Sequence, residues 1–346
     1  MSSAINIKQK AYKLLYAKNT HDLSELFKVQ QHHLLLISQQ KKYQLYQIPK
    51  SNGNYRSIEE PEIKLKKIQA ILNEHLQCFY YPLKPNSVYG FCIHVSRNDE
   101  FNIRSNAYRH IGCKTMINID LKDFFHTISF QQVHQLFQKH FKKWNAEMLH
   151  LLTEICTYNQ RLPMGAPTSP VLSNLVCLNL DHELENYAKY SGITFTRYAD
   201  DFTFSSKKTL SYKDIQYLLS IIHHYGFIEN TDKVKLLQSD DIKIVTGIRV
   251  LNERLELPEH YIEQINIEIQ RLKTVLAIEN RYHTGISFKK LNLLKQEITG
   301  KINFVAQILG NKDDHAQQLE DNYLDAIQPK DNYESINWLE IPYTFK

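Results

Sequence analysis

Two adjacent acids near the middle of the chain lie between two short runs of strand-forming residues. Residues 193–198 and 202–206 are rich in β-branched and aromatic side chains, and Ala199-Asp200-Asp201 separates them. A connection this short folds two strands into a tight antiparallel hairpin with the acids at its tip. A third run, residues 114–120, alternates like a strand and also ends at a carboxylate, Asp120. If these strands adjoin in one sheet, the carboxylates converge, so the pattern predicts an α+β fold with an acidic site at a sheet edge.

Convergent aspartates are the ligand set that nucleotidyl transfer requires. This reaction uses two divalent ions, one that lowers the pKa of the attacking hydroxyl and one that stabilises the pyrophosphate leaving group. Mg²⁺ prefers oxygen ligands and is bound by a few carboxylates together with substrate phosphates. We therefore expect Asp120, Asp200 and Asp201 to hold the metal ions of a polymerase.

Helices predominate in the rest of the chain. The first 45 residues have a helical pattern, and residues 43–48 and 55–58 form a hairpin whose turn presents Lys50 and Arg56. Apolar residues at three- and four-residue spacing predict a helix that opens at Pro61. The other predicted elements are two helices within residues 130–158, helices at 172–190 and 213–225, a strand at 245–250, and a helical segment at 258–309 with a break near Gly285.

Four segments, in a fixed order, give the chain a family resemblance. They resemble the fingers hairpin and the D-x-x-x-F-F, L-P-Q-G-x-x-x-S-P and Y-x-D-D boxes of reverse transcriptases. In the same order, they are the hairpin from Ile48 to Pro61, Asn118 to Phe125, Leu162 to Pro170, and Tyr198 to Asp201. The chain departs from the family pattern at Met164, where the family usually has Gln.

The resemblance implies a right-hand polymerase with fingers, an antiparallel-sheet palm and a helical thumb. The expected divisions are N-terminal helices and fingers at residues 1–112, the palm at 113–250, the thumb at 251–310 and an acidic aromatic tail at 311–346. The implied cofactor is Mg²⁺, as two ions, with Mn²⁺ as a substitute. The implied metal ligands are Asp120, Leu121, Asp200 and Asp201, of which the aspartates are catalytic.

The same resemblance assigns the nucleotide pocket. Its contacts map to Lys50, Arg56, Phe125 and Met164. Lys50 and Arg56 are expected against the triphosphate, since an arginine fork suits phosphate oxygens. Phe125 is expected to pack under the sugar and exclude a ribose 2′-OH, while Phe124 is expected in the core.

Two further signatures narrow the resemblance. Asn106-Ala107-Tyr108-Arg109-His110 and Val245-Thr246-Gly247 resemble the N-A-x-x-H and V-T-G signatures of retron reverse transcriptases. These bacterial enzymes copy part of their own structured non-coding RNA, from the 2′-OH of a guanosine, into a branched RNA–DNA product that contains msDNA. The implied partners are that RNA and its DNA product, dNTPs, and a toxic effector protein used in anti-phage defence. RNA contacts are expected at Asn106, His110, Arg271, Lys273, Lys289 and Lys290.

Two alternatives stay open at this point. One is another bacterial reverse transcriptase, such as a minimal intron-type or other defence enzyme. The other is a catalytically silent RNA-binding or antitoxin scaffold, which only Met164 favours. The sequence contains no G-x-x-x-x-G-K-[ST], G-x-S-x-G or H-E-x-x-H, which argues against P-loop, serine-hydrolase and zinc-protease chemistry.

Charge is distributed unevenly along the chain. The net charge is +5, although residues 311–346 carry three lysines against eight acids. The rest is therefore basic, which suits a polyanionic partner. We expect the acidic aromatic tail to dock on the effector or on a second copy. Because no apolar run reaches membrane-spanning length and no secretory signal is evident, we expect a cytoplasmic location.

Overall fold

The computed structural model describes residues 2–49, 53, 55–96, 99–282 and 288–328. The chain divides into two compact units, Met1–Asp241 and Ile242–Lys346. Within the described ranges, no helix is long and apolar enough to cross a membrane.

The first unit begins with three helices, within the 45 residues for which the sequence predicts a helical pattern. They are α1 (Ser2–Tyr16), α2 (Thr20–Phe27) and α3 (Gln31–Gln39). The Asn19 side chain accepts a hydrogen bond from the Asp22 amide and so begins α2, and Lys28 ends it in the left-handed conformation, at φ 55°. Each helix buries one leucine completely: Leu14, Leu23 and Leu34.

The predicted hairpin follows as β1 (Tyr43–Pro49) and β2 (Tyr55–Pro61). The strands are antiparallel, with Ile48 opposite Arg56. Residues near the tip are exposed on both strands, so this end of the hairpin projects into solvent. Helix α4 (Ile63–Tyr80) begins only after Pro61, which closes β2 instead of opening the helix as predicted.

The remaining helices of the first unit surround its sheet. They are α5 (Ile103–Tyr108), α6 (Phe124–Thr127), α7 (Phe130–His140), α8 (Ala146–Cys156), α9 (Ser169–Val176), α10 (Leu178–Ser191) and α11 (Tyr212–His224), with short 3₁₀ turns at Tyr81–Leu83 and Thr231–Lys233. The single helix predicted over residues 172–190 is two helices, because Cys177 has ψ −5° and interrupts the α-helical ladder.

A four-stranded antiparallel sheet forms the centre of the first unit. Its strands are β3 (Thr115–Asp120), β4 (Thr194–Tyr198), β5 (Asp201–Ser206) and β6 (Lys235–Leu237), in the order β4-β5-β3-β6. Ile117, Ile119, Phe202 and Phe204 are fully buried in one hydrophobic core with side chains from α4 and from α7 to α11. The two strands that carry the acids therefore adjoin, as predicted.

The second unit combines a small sheet with three helices. Its elements are β7 (Ile244–Val245), β8 (Ile248–Val250), β9 (Leu255–Glu256), α12 (Glu259–Tyr282), α13 (Phe288–Leu309) and α14 (Asp314–Ile327). The single strand predicted over residues 245–250 is instead a hairpin. Thr246 and Gly247 lie at its turn with φ 48° and 83°, as in a type I′ turn, which matches the twist of the flanking strands.

Helix α14 corrects the prediction for the C-terminal segment. Ala316, Leu319 and Ala326 are buried in one core with side chains of α12 and α13. Residues 314–327 therefore complete the packing of the second unit, and the prediction of a separate docking tail from residue 311 is wrong for this part. Residues 329–346 lie outside the described residues. The division after Asp241 also places residues 242–250 with the helical unit and not with the predicted palm.

Candidate active site

The predicted aspartates meet at one end of the central strands. Asp120, the last residue of β3, pairs across the sheet with Asp201, the first residue of β5. Asp200 precedes it in the turn, and its carbonyl accepts a hydrogen bond from the Leu121 amide at 2.9 Å. The topology thus brings together acids that are 80 residues apart in sequence.

The turn that carries Asp200 is held from two sides. Ala199 lies in the left-handed region, at φ 60°, which is unfavourable for a residue with a side chain. Gly90 packs directly against it, since a Cβ at Gly90 would lie 2.6 Å from the Ala199 nitrogen. From the interior, Arg197 Nη1 donates to the Ala199 carbonyl at 3.0 Å and to Asn174 Oδ1 at 3.1 Å.

Arg197 is itself anchored by a buried carboxylate. Its Nε and Nη2 donate to the two oxygens of Asp181, both at 2.6 Å, and both side chains have zero exposure. Burial opposes the charge, but the Asp181 carboxylate raises the pKa of Arg197 above its ordinary value. Removing one partner of such a pair is costly, because the other is left as an uncompensated buried charge. The turn that carries Asp200 therefore depends on a buried ion pair beneath it, which the sequence patterns did not predict.

The three acids repel one another. Burial raises the pKa of Asp201 to about 6, and the carboxylates of Asp200 and Asp120 add to this rise. Burial and the Asp120 carboxylate also raise the pKa of Asp200, while the positive charges of Lys233 and Arg56 oppose the rise. The positive charge of Arg56, on strand β2, therefore acts on Asp200 at the end of the central sheet. Carboxylates in this arrangement favour a bound cation.

Lys233 is the second residue that the sequence patterns did not predict. Its ammonium donates to both oxygens of Asp120 at 3.0 Å. The Asn230 amide donates to the Asp120 carbonyl at 2.7 Å, and a bridge between Leu121 and Glu229 holds this segment beside β3. A lone lysine 113 residues from its partner has no local signal in the sequence.

The donor set fits divalent metal ions. Three carboxylates supply hard oxygens, and Leu121, whose side chain is hydrocarbon, can offer only its backbone carbonyl. Among the side chains that the structure describes, no three of His, Cys, Asp or Glu are already gathered as a metal cage. Mg²⁺ retains several waters and binds substrate phosphates, so it does not need a complete protein cage. The raised pKa values of Asp200 and Asp201 mark the same place as a site for positive charge.

A short network ties the fingers hairpin to the loop before α9. The Glu59 amide donates to the Met164 carbonyl at 2.7 Å. Arg161 donates from both terminal nitrogens to the Glu59 carboxylate, at 2.8 Å each. Gly165 has φ 134°, and a Cβ there would lie 2.7 Å from the Glu59 carbonyl oxygen. These contacts fix Met164 beside β2, the strand that carries Arg56.

Phe125 lies at the edge of the hydrophobic core, five residues after Asp120 in the sequence. Its ring centroid is 5.5 Å from that of Phe124 and 5.9 Å from that of Phe91. Phe124 is 3% exposed and belongs to the core, as predicted, whereas Phe125 is only half-buried. Its role as a sugar gate stays a prediction. Lys50 lies outside the described residues.

Comparison with known proteins identifies the family. The family model described as "Reverse transcriptase (RNA-dependent DNA polymerase)" matches residues 48–278. Over 262 residues the chain is 33% identical to the retron Ec86 reverse transcriptase of Escherichia coli, which covers 73% of this chain and 78% of that enzyme. The chain belongs to the retron reverse transcriptases.

Further relatives carry the same description. The retron Mx162 reverse transcriptase of Myxococcus xanthus is 31% identical over 60% of this chain and 47% of its own length. The retron Ec73 reverse transcriptase of Escherichia coli is 26% identical over 85% of this chain and 88% of its own length. The chain therefore spans less than half of the Mx162 enzyme and most of the Ec73 enzyme.

A solved structure shows the same fold. Telomerase from Candida albicans, determined with a fragment of telomeric RNA, has a TM-score of 0.50 at 12% identity, over 84% of this chain and 64% of that chain. The retron reverse transcriptase thus has the right-hand polymerase fold. By family it is an RNA-directed DNA polymerase that depends on divalent metal ions and copies an RNA template.

The Asn and His of the N-A-x-x-H segment are not on the surface of this retron reverse transcriptase. Asn106 and His110 are each 1% exposed. The His110 ring lies 2.7 Å from both Ser205 Oγ and Thr196 Oγ1, and burial lowers its pKa to about 3. The prediction that these two residues contact RNA is wrong. The His110 ring attaches the segment around α5 to strands β4 and β5.

The predicted thumb contacts lie on the helices of the second unit. Lys289 and Lys290 are exposed near the start of α13. Lys273 lies 3.3 Å from Asp325 of α14, so part of its charge is already compensated. RNA binding by these three residues and by Arg271 stays a prediction.

Proposed function

We propose that this retron reverse transcriptase copies part of a structured non-coding RNA into single-stranded DNA of the msDNA type. Synthesis would begin at the 2′-OH of a guanosine in that RNA. The enzyme would serve in anti-phage defence together with a toxic effector protein. The named retron relatives support the RNA-copying part of this proposal, and the resemblance of the N-A-x-x-H and V-T-G segments supports the retron-specific parts.

One observation carries the proposed chemistry. Asp120 and Asp201 face each other across β3 and β5, with Asp200 in the adjoining turn, and the pKa values of Asp200 and Asp201 are raised by burial and by the neighbouring acids. We assign these three carboxylates and the Leu121 carbonyl as ligands of two Mg²⁺ ions, for which Mn²⁺ would substitute. When bound, such ions activate the attacking hydroxyl and stabilise the departing pyrophosphate.

The remaining roles fall to side chains around the acids. We assign Arg56 and Lys50 to the triphosphate, Phe125 to exclusion of the ribose 2′-OH, and Met164 to the edge of the sugar site. The Glu59–Arg161 pair supports this assignment, because it holds the strand of Arg56 against the loop of Met164. The Met164 thioether is a weaker hydrogen-bond acceptor than the side-chain amide of Gln and donates no hydrogen bond, so this side chain would position the sugar mainly by van der Waals contact.

The helical unit is assigned as the thumb. Arg271, Lys273, Lys289 and Lys290 would contact the phosphates and 2′-hydroxyls of RNA stem-loops, which proteins recognise mainly by shape and backbone. The first unit then supplies the fingers and palm.

Sequencing the nucleic acid that co-purifies with the protein tests the proposal. The expected result is one structured RNA joined to complementary DNA through a 2′–5′ linkage, which a debranching enzyme separates. The Asp200→Asn variant should co-purify the RNA without the DNA. RNA without DNA in the wild type, together with no primer extension, would identify a silent RNA-binding scaffold and contradict the proposal.

A further inference from the structure

A basic and aromatic pocket lies between the 3₁₀ turn after α4 and helix α5. Its volume is about 630 Å³. Three cationic side chains, Lys84, Arg104 and Arg109, line it together with the rings of Tyr89 and Tyr108 and one acid, Glu100. None of these residues belongs to the nucleotide pocket or to the metal site assigned above.

Hydrogen bonds hold the frame of the pocket in place. The Asp99 carboxylate accepts hydrogen bonds from the amides of Val95 and Ser96, at 2.7 and 2.8 Å, and so closes the loop before α5. The Asn102 side chain caps α5 by accepting from the Ser105 amide at 2.9 Å. His110 then fixes the far end of this segment to the palm sheet. A site that is formed before its ligand arrives binds with a lower ordering cost.

One cationic side chain lies in the wall of the pocket, and two exposed side chains lie at its mouth. The Lys84 ammonium donates to the carbonyls of Pro85 and Val88 and lies 4.1 Å from the centre of the Phe101 ring. Its charge is therefore fixed in the wall. Tyr108 is 61% exposed, and Arg109 beside it is also exposed. The buried Asn and His of the N-A-x-x-H segment thus hold its two variable positions out toward solvent at the mouth of this pocket.

The pocket adjoins the catalytic turn through its inner wall. The Arg197 amide donates to the Ser87 carbonyl at 2.8 Å, and the Tyr89 amide donates to the Arg197 carbonyl at 2.9 Å. This wall is therefore hydrogen-bonded to the end of β4 that leads into the turn of Asp200. The next residue, Gly90, contacts Ala199 of that turn. A strand in the pocket would lie beside the site of synthesis.

We propose that this pocket binds one or two unpaired nucleotides of a single strand. The guanidinium groups of Arg104 and Arg109 contact phosphate, and the Tyr108 ring stacks on a base. Cations that follow a backbone and aromatic rings that stack on bases are the two features of single-strand binding sites. A pocket of this volume suits a nucleotide-sized ligand and is too small for a duplex. The site does not rest on the retron RNA proposal, because any single strand offers the same groups.

Binding of short oligonucleotides to the full-length protein tests this site. The probes are rA12 and dA12 with a 5′-fluorescein label, and binding is measured by fluorescence anisotropy between 50 and 400 mM KCl. Comparison of the two probes shows whether the site prefers an RNA or a DNA strand. We expect Tyr108→Ala to weaken binding of the preferred strand about tenfold, since stacking of one base is worth about that factor. The logarithm of the association constant falls linearly with the logarithm of the salt concentration. For the Arg104→Gln/Arg109→Gln double variant, the magnitude of this slope should decrease by about 1.4, or about 0.7 for each phosphate that is no longer neutralised.

Two further measurements separate this site from the rest of the nucleic-acid surface. A strand that contains 4-thiouridine should cross-link on irradiation to the peptide that holds Tyr108. Lys213→Gln, which removes an exposed cation at the start of α11, is the control and should leave affinity and salt slope unchanged. Unaltered thermal unfolding of each variant would show that these surface changes leave the fold intact.

Three results would overturn the proposal. An unchanged salt slope in the double variant, without cross-linking, would mean that no strand enters the pocket. Full competition by tripolyphosphate, with no effect of Tyr108→Ala, would mean that the pocket binds anions and not nucleotides. Normal oligonucleotide binding by all variants, with loss of a co-purifying protein, would mean that this surface binds a protein partner.

Discussion

At the scale of single residues, the end of the sheet that carries the three aspartates combines repulsion between carboxylates with support from two cationic side chains. The negative charges of Asp120, Asp200 and Asp201 repel one another. The Lys233 ammonium, 3.0 Å from the Asp120 carboxylate, compensates part of this charge. Arg197 acts differently, since it holds the backbone of the turn and not a carboxylate of the site. Strain and repulsion of this kind lower stability and persist where a ligand uses them.

Replacing Asp200 with Asn removes the charge of a proposed metal ligand at nearly constant volume. We expect Asp200→Asn to lower primer extension on an RNA template by at least about 100-fold, because the metal ions lose a carboxylate. The melting temperature should stay equal or rise, because repulsion among the acids is relieved. Asp123→Asn is the control, since Asp123 is exposed and its left-handed backbone suits Asn equally well. Near-normal activity of Asp200→Asn would refute the three-aspartate assignment.

Shortening Phe125 tests the proposed sugar gate. Phe125→Ala should raise the ratio of ribonucleotide to deoxyribonucleotide incorporation about tenfold or more, because the half-buried ring would no longer fill the space beneath the sugar. The measurement is single-nucleotide extension with matched dNTP and rNTP. Phe124→Leu, in the adjacent core position, should lower stability and leave selectivity unchanged. Equal selectivity in Phe125→Ala and the wild type would place Phe125 in the core only.

His110 makes the protein sensitive to acid. Its folded-state pKa of about 3 lies below the ordinary value of 6.5, so the unfolded chain takes up a proton first as the pH falls. The stabilisation is complete above pH 6.5 and is lost between pH 6.5 and 3, by about 2 kcal/mol at pH 5. Asp201 opposes this loss in every variant, because its raised pKa of about 6 favours the folded state as the pH falls. The His110 contribution is therefore measured as the difference from His110→Asn in urea unfolding at pH 7 and 5, and it should be equal for the wild type and for His224→Asn, an exposed control. His110→Asn should be less stable at pH 7 but less sensitive to pH, and an equal pH dependence would contradict this account.

At the scale of elements, the periodicity of the sequence predicted helices and strands, but it did not predict the contacts between distant segments. The helical character of the N-terminal segment, both hairpins of the first unit and the strand ending at Asp120 follow from local patterns. The Glu59–Arg161, Arg197–Asp181 and Lys233–Asp120 contacts do not, because each joins segments that local sequence treats separately. The prediction that Asn106 and His110 of the N-A-x-x-H segment contact RNA was wrong for a related reason. A motif shows which residues matter, but only tertiary structure shows whether they face solvent or the core.

Helix α14 offers a matched pair of leucines. Leu319 is 1% exposed in the core of the second unit, while Leu324, on the same helix, is 44% exposed. Leu319→Ala should lower the free energy of unfolding of this unit by about 2–5 kcal/mol, through reduced burial and a residual cavity. Leu324→Ala should change it by about 0.5 kcal/mol. Equal effects in chemical denaturation would show that α14 does not pack as described.

At the scale of the whole molecule, two compact units with separate cores favour unfolding in more than one step. Trp144 is buried in the first unit, where it stacks on Phe141 at 4.1 Å between ring centres. In a Trp338→Phe background, which leaves one tryptophan, its fluorescence reports the first unit alone. We expect Leu319→Ala to lower the midpoint of an early unfolding transition that is followed by circular dichroism at 222 nm. The midpoint of the fluorescence transition should stay unchanged. A single transition seen equally by both probes would show one cooperative unit.

The buried pair of Arg197 and Asp181 bears on how such enzymes lose their activity in evolution. Well-packed apolar residues of similar volume often replace a buried ion pair at no loss of stability, or with a gain. A lineage that needed only the shape of this protein would therefore be free to exchange both residues together for hydrophobic ones. A lineage that still makes DNA cannot make this exchange, because the Arg197 guanidinium also holds the carbonyl of Ala199. Among proteins with this fold, we therefore expect a hydrophobic replacement of the pair to mark descendants that have stopped synthesising DNA.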